Sequence, residues 1–162
     1  MNLIKVLLVE DDPNWLKIFQ ILVGKETQEI FEYTHVVDLA FALTAIKDNQ
    51  FNLIMLDLML PDSQALNTIK VMTAQANVPI VIITTLDDEK LMQDAFMLGV
   101  EDYLIKDKYD IGIFLHVSHQ AIKRFLAKNL HAFNVSIKSL LDNLQSLDVT
   151  LAQWQQKQSS HT

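Results

Sequence analysis

Leu3-Ile4-Lys5-Val6-Leu7-Leu8-Val9-Glu10-Asp11-Asp12-Pro13 opens as a nearly continuous apolar run, breaks into three acids and then starts a helix. A short run of Leu, Ile and Val fits a strand covered on both faces, as in a parallel sheet sandwiched by helices. Asp12 before Pro13 is a helix N-cap followed by proline at the first helical position, where its missing N–H costs nothing. Strand, acidic loop and helix together make the first half of a βα repeat.

Outward from this stretch the same alternation recurs. Strands are predicted at Leu3 to Val9, Phe31 to Val36, Asn52 to Leu56, Pro79 to Ile83 and Asp102 to Ile105, with amphipathic segments between them. This rhythm predicts an α/β fold with a doubly wound, five-stranded parallel sheet. The first helix carries Leu16, Phe19, Leu22 and Val23 on one stripe, and Asp38 to Asp48 carries Leu39, Ala42, Leu43 and Ile46. Asp87 is the expected cap of a helix that ends near Leu98, with Gly99 as its stop.

Composition narrows the classes of function. The chain has 162 residues, 50% of them hydrophobic, with only three glycines and three prolines, which suits one tightly connected domain with some chain to spare. It has no cysteine, which excludes disulfides, thiolate metal sites and a cysteine nucleophile. No window is long and apolar enough to span a membrane. Acids follow Val9 at once, so no signal peptide is read, and a cytoplasmic location is expected. Residues 1–110 hold 8 basic and 18 acidic side chains, and the remainder 5 and 2. With Arg124 as the only arginine and no basic stripe among aromatics, direct nucleic-acid binding is not expected; the acidic body suits a cation or a basic partner.

In a doubly wound sheet the ligand crevice lies beyond the carboxyl ends of the strands. Glu10, Asp11 and Asp12 follow the first strand, Asp57 the third, Thr84 and Thr85 the fourth and Lys106 the fifth. These groups suit phosphoryl transfer to a carboxylate, with Asp57 attacking phosphorus. Clustered carboxylates repel one another unless a cation neutralises them, and magnesium favours a few carboxylates with waters and phosphate oxygens. Lys106 would neutralise a phosphoryl oxygen, and Thr84 would donate to another.

At this point the sequence resembles the receiver domains of two-component response regulators, over roughly residues 3 to 125. The resemblance is carried by Leu7-Leu8-Val9-Glu10-Asp11-Asp12-Pro13, Leu56-Asp57-Leu58-Met59-Leu60-Pro61-Asp62, Val78-Pro79-Ile80-Val81-Ile82-Ile83-Thr84 and Gly99-Val100-Glu101-Asp102-Tyr103-Leu104-Ile105-Lys106. It implies the flavodoxin-like strand order 2-1-3-4-5, an acidic pair in Glu10 and Asp11, Asp57 as phosphoacceptor, and the Met59 backbone carbonyl completing a Mg2+ shell. It also implies Thr84 and Tyr103 as the switch pair and a histidine kinase or phosphotransfer protein as donor. The protein would then be a signalling switch acting through its C-terminal face. It would not be a metabolic enzyme, though it would assist its own phosphotransfer and slow autodephosphorylation. Two positions depart from the pattern. Ala65 replaces a usual glycine, so a different loop backbone is expected, because alanine resists positive φ. Asp107 replaces a usual proline, so no cis peptide is expected after Lys106.

Other readings fit less well. A haloacid-dehalogenase-like phosphatase needs a second aspartate where Met59 stands, and a flavodoxin-like nucleotide binder needs backbone amides where the first loop offers acids. A structural pseudo-receiver stays open, since only phosphorylation chemistry separates it from a working switch. His116 and His119 lie three apart with no third ligand in view, which reads as surface imidazoles.

The tail has a pattern of its own. Leu126, Leu130, Phe133, Ile137, Leu140, Leu144, Leu147, Leu151 and Trp154 follow in alternating steps of four and three, an unbroken coiled-coil seam. No Gly or Pro follows Gly112, so a mostly helical stretch is predicted from about Ile113 to Trp154, continuous with the last receiver helix. The predicted organisation is a receiver domain over 1–127 and a helical extension over 128–162. Flanking Asn129, Asn134, Ser136, Asn143 and Thr150 are uncharged and Leu141 widens the stripe, so a homodimer, a hairpin broken near Ser146 and a fold-back are all compatible.

Overall fold

A computed structural model describes residues 3–24 and 31–159, with side chains as far as residue 146. The chain divides into two compact units, Met1–Phe125 and Leu126–Thr162.

The first unit is built on β1 (Ile4–Val9), β2 (Phe31–Val36), β3 (Leu53–Leu56), β4 (Ile80–Thr84) and β5 (Asp102–Ile105). All pairings are parallel, in the order β2-β1-β3-β4-β5. Helices α1 (Pro13–Val23), α2 (Leu39–Asp48), α3 (Ala65–Gln75) and α4 (Glu89–Met97) intervene, and α5 (Ile111–Ser159) follows β5. The doubly wound sheet and its order are as the sequence predicts.

Successive strand residues point to opposite faces, so each central strand supplies two cores. Leu7, Val9, Ile54, Leu56 and Ile82 pack with Leu39 and Ala42 of α2, Ile69 and Met72 of α3, and Leu91 and Ala95 of α4. Val6, Leu8, Leu53, Met55, Val81 and Ile83 pack with Trp15, Phe19 and Val23 of α1 and Phe114 and Ala121 of α5. The α1 stripe is therefore centred on Trp15, Phe19 and Val23, one residue round from the predicted Leu16 and Leu22, which are only half-buried.

Register places the crevice. Val9 pairs with Leu56, so Glu10 and Asp57 leave the sheet side by side. Thr84 pairs with Ile105, so Lys106 emerges next to them.

Asp12 caps α1 through Asn14 N–H at 2.8 Å, and Asp38 caps α2 through Phe41 N–H at 2.7 Å. For α4 the expectation is corrected by one residue. Asp88 is the cap, accepting from Leu91 N–H at 3.0 Å, while Asp87 pairs with Lys108. A short hairpin, Met59–Leu60 against Ser63–Gln64, forms the loop after β3. Beyond it Asp62 reaches across to accept from Leu39 and Ala40 N–H, both at 2.9 Å, adding a second cap to α2.

Ala65 also corrects an expectation. It takes a φ of 47°, the conformation for which glycine is usual. The loop imposes it, because the hairpin fixes the approach and Ala65 N–H donates to Leu58 C=O at 2.7 Å. Left-handed backbone disfavours a Cβ by about 1–2 kcal/mol, while glycine adds unfolded-state freedom. Ala65→Gly should therefore stabilise the fold by about 0.5–1 kcal/mol, read as a raised urea midpoint at unchanged slope. An unchanged or lowered midpoint would mean that the loop bears no strain at Ala65.

Among the described residues no peptide bond is cis, and Asp107 has a φ of 68°, which aspartate tolerates better than most. The helix α5 runs unbroken through Ser146, so the hairpin broken there, one of the three arrangements compatible with the sequence, is not present.

Candidate functional site

At the carboxyl edge of the sheet, Glu10, Asp57, Thr84 and Lys106 are all buried. The ammonium of Lys106 lies 2.6 Å from Glu10 Oε2 and 2.9 Å from Asp57 Oδ2. Asp57 Oδ1 accepts from Leu58 N–H at 2.6 Å and more loosely from Met59 N–H at 3.3 Å. Glu10 Oε1 accepts from Asp12 N–H at 2.9 Å. Each carboxylate is thus held at one oxygen by backbone and at the other by the same lysine.

Asp11 is exposed, yet Glu10, Asp11 and Asp57 each offer a carboxylate oxygen within 4.8 Å of the others. Two of these carboxylates share one ammonium and the third lies beside them, a donor set that fits a hard divalent cation. Asp12 is not part of this group, since its carboxylate caps α1. Burial pushes the Glu10 carboxyl above its ordinary range despite the opposing pull of Lys106. Burial pulls the Lys106 ammonium downward, but its bonds to Glu10 and Asp57 outweigh this and its pKa is raised.

Thr84 stands at the end of β4, and its Oγ1 accepts from Leu86 N–H at 3.4 Å. Tyr103 is buried in β5, its hydroxyl donating to Leu86 C=O at 2.8 Å. Burial first, and then Asp88, Asp87 and Asp57, push the Tyr103 phenol up to about 12. Both residues therefore end on the backbone of Leu86. Met59, in the hairpin, is exposed at its side chain.

A family model for the response regulator receiver domain matches residues 6–114. The chain belongs to this family. The receiver is 31% identical over 102 residues to the DNA-binding response regulator MtrA of Mycolicibacterium smegmatis, covering 63% of this chain and 43% of that protein. It is 29% identical over 148 residues to the response regulator ArlR of Staphylococcus saprophyticus, covering 91% of this chain and 63% of that protein. The chain thus spans less than two thirds of the length of both relatives. Among solved structures, the receiver domain of the Francisella response regulator 1452 superposes with a TM-score of 0.62 at 30% identity, covering 74% of this chain and 97% of that one. Since MtrA is named as DNA-binding, the relatives give no support to setting nucleic acid aside.

Three residues around the receiver crevice have no counterpart in the sequence reading. His35 Nε2 lies 2.7 Å from Glu10 C=O, fixing the start of the acidic loop from β2. The Tyr109 hydroxyl is buried without a hydrogen-bond partner among the described residues, and burial, followed by the Glu10 charge, pushes its pKa up. The ring of Trp15 lies 4.7 Å from Lys106 Nζ. Only Trp15 had a sequence signal, an aromatic on the buried α1 stripe two residues past Pro13. His116, His119 and His131 are exposed, and no helix among the described residues is long and apolar enough to cross a membrane.

Proposed function

We propose that this receiver takes a phosphoryl group on Asp57 from a phosphohistidine donor, a histidine kinase or phosphotransfer protein, with Mg2+ held by Glu10, Asp11, Asp57 and the Met59 carbonyl. The observation that carries the reading is the shared lysine: Lys106 bridges Glu10 and Asp57 beside a cluster of three carboxylates. An Asp57 oxygen supplies the electron pair for the new O–P bond. The donor's P–N bond breaks, and its pair stays on the imidazole. Lys106 lies where it can neutralise a phosphoryl oxygen, and Thr84 where its hydroxyl can turn toward another. Bound magnesium would offset the charge of the transferring group.

The C-terminal face reports the event through Thr84 and Tyr103, both tied to Leu86. We assign the receiver to 1–127 and the helical extension to 128–162, the latter pairing with a second copy along its apolar seam. The test of the acceptor is intact mass after exposure to a small acyl phosphate. One phosphoryl mass should appear with Mg2+ and vanish with chelator. Uptake that ignores chelator overturns the metal-assisted site, and no uptake under either condition overturns the acceptor reading and leaves a structural pseudo-receiver.

Met59 and Leu86, two residues beyond Asp57 and Thr84, are apolar and cannot orient an attacking water. The acyl phosphate should therefore be long-lived. Met59→Asn with Leu86→Glu should speed its decay on the order of tenfold, less than a fully positioned proton acceptor contributes. Decay at the parent rate removes the argument.

A further inference from the structure

Trp15 is on the buried stripe of α1 and is 5% exposed. Its neighbours on that stripe, Phe19 and Val23, belong to the apolar core. Trp15 also meets a charge, because the Lys106 ammonium lies 4.7 Å from the centre of its ring. The side chain of Lys106 is itself 4% exposed, so water contributes little to solvating it. Its ammonium therefore has three kinds of neighbour: the Glu10 carboxylate, the Asp57 carboxylate and the face of an indole. Tryptophan offers the strongest π face for a cation, and the attraction grows when both partners are desolvated.

The ring is held in place. Trp15 and Phe19 stack tilted with centroids 5.4 Å apart. Phe19 meets Tyr33 of β2 edge-on at 5.5 Å and Phe114 of α5 at 5.6 Å. Three elements besides the crevice loop thus fix an aromatic plane beside a flexible four-carbon side chain.

We propose that Trp15 is a positioning residue for Lys106, holding the ammonium over the crevice while its carboxylate partners change. The inference rests on the reading of Asp57 as phosphoacceptor. In the resting arrangement Lys106 occupies Asp57 Oδ2. An oxygen that becomes part of an acyl phosphate loses its full negative charge, and Lys106 must turn to the phosphoryl oxygens. A lysine held by carboxylates alone would have no fixed partner during that change. The indole face is neutral, rigid and untouched by the chemistry, so it keeps the ammonium within reach throughout.

The experiment is a double-mutant cycle on the full chain, following phosphoryl uptake from acetyl phosphate with saturating Mg2+ by intact mass. Trp15→Leu should slow uptake between about 3- and 10-fold and Trp15→Phe by less, the range set by a desolvated cation–π contact. In a Lys106→Met background Trp15→Leu should cause no further slowing, because there is no ammonium left to position. Magnesium affinity should stay within about twofold, since an indole offers no oxygen ligand to the cation. If Trp15→Leu does not fold, Trp15→Phe carries the cycle. With Trp154→Phe silencing the other tryptophan, emission from Trp15 should change on phosphorylation and lose that change in the Lys106→Met chain. Equal slowing in both lysine backgrounds, no slowing in either, or emission indifferent to Lys106 overturns the assignment. A parent chain that takes up phosphate while the cycle is additive defeats Trp15 alone. A phosphoryl group that persists in Asp57→Asn defeats the acceptor reading and the inference with it.

Discussion

Asp57→Asn is expected to abolish phosphoryl uptake outright while leaving the fold in place. Asparagine keeps the shape of the side chain, so its carbonyl can still accept from Leu58 N–H, and Lys106 keeps its ion pair with Glu10. What goes is the nucleophilic oxygen and one of the three carboxylates gathered for a cation. An amide oxygen is a far weaker nucleophile and carries no charge to share with a metal. Two readouts should therefore part company. Thermal stability without magnesium should stay within about 1 kcal/mol of the parent, because the lost ion pair also relieves like-charge crowding at a buried site. The phosphoryl mass should vanish, and the stabilisation that added magnesium confers on the parent should shrink with it. Retained labelling would move the acceptor elsewhere in the crevice. A variant that unfolds would show that Asp57 serves the packing of the core first.

Most of the scaffold and its chemical edge was legible in the sequence, for a physical reason. Strands buried on both faces read as apolar runs, and each of those runs ends on a polar residue that the parallel register brings to one edge. Glu10, Asp57, Thr84 and Lys106 could be placed together from strand ends alone, because Val9 pairs with Leu56 and Thr84 with Ile105. Features made by contacts across the chain were not legible. Asp62 caps α2 from 23 residues away, and nothing local to Asp62 marks it as a cap. Helix α3 starts at Ala65, and its N-cap Gln64 makes no side-chain cap, so it has no start signal to find. The left-handed Ala65 contradicts its own propensity, and only the hairpin before it explains why the chain accepts it. Trp15 is core, although the predicted stripe runs through its neighbour Leu16 instead. Its second role depends on a lysine brought beside it by the fold.

Truncation near Lys128 is expected to convert a dimer to a monomer, and this is the other large effect. The described seam residues of α5 are bare along its length: Leu126, Leu130 and Phe133 are each 61% exposed, Leu140 62% and Leu144 57%. Val135 and Leu141, at 55% each, broaden the strip. Leu147, Leu151 and Trp154 continue the repeat but lie outside the residues whose side chains are described. An apolar strip of this extent is what normally marks an interface. Burying each large side chain contributes about 1.5–3 kcal/mol before ordering is subtracted, so several together can exceed the entropic cost of association. The steps of four and three suit another helix with the same repeat, and the uncharged flanks give no ion pairs to reject an identical chain. Two-fold pairing of like chains is also the commonest way soluble proteins associate. Light scattering on the full chain should report twice the chain mass at micromolar concentration, and the version ending near Lys128 should report one. Leu130→Asp with Leu140→Asp should have the same effect as truncation while leaving the receiver's phosphoryl uptake intact. A full chain that scatters as a monomer would mean that the seam is covered from within the same chain or reserved for a different partner.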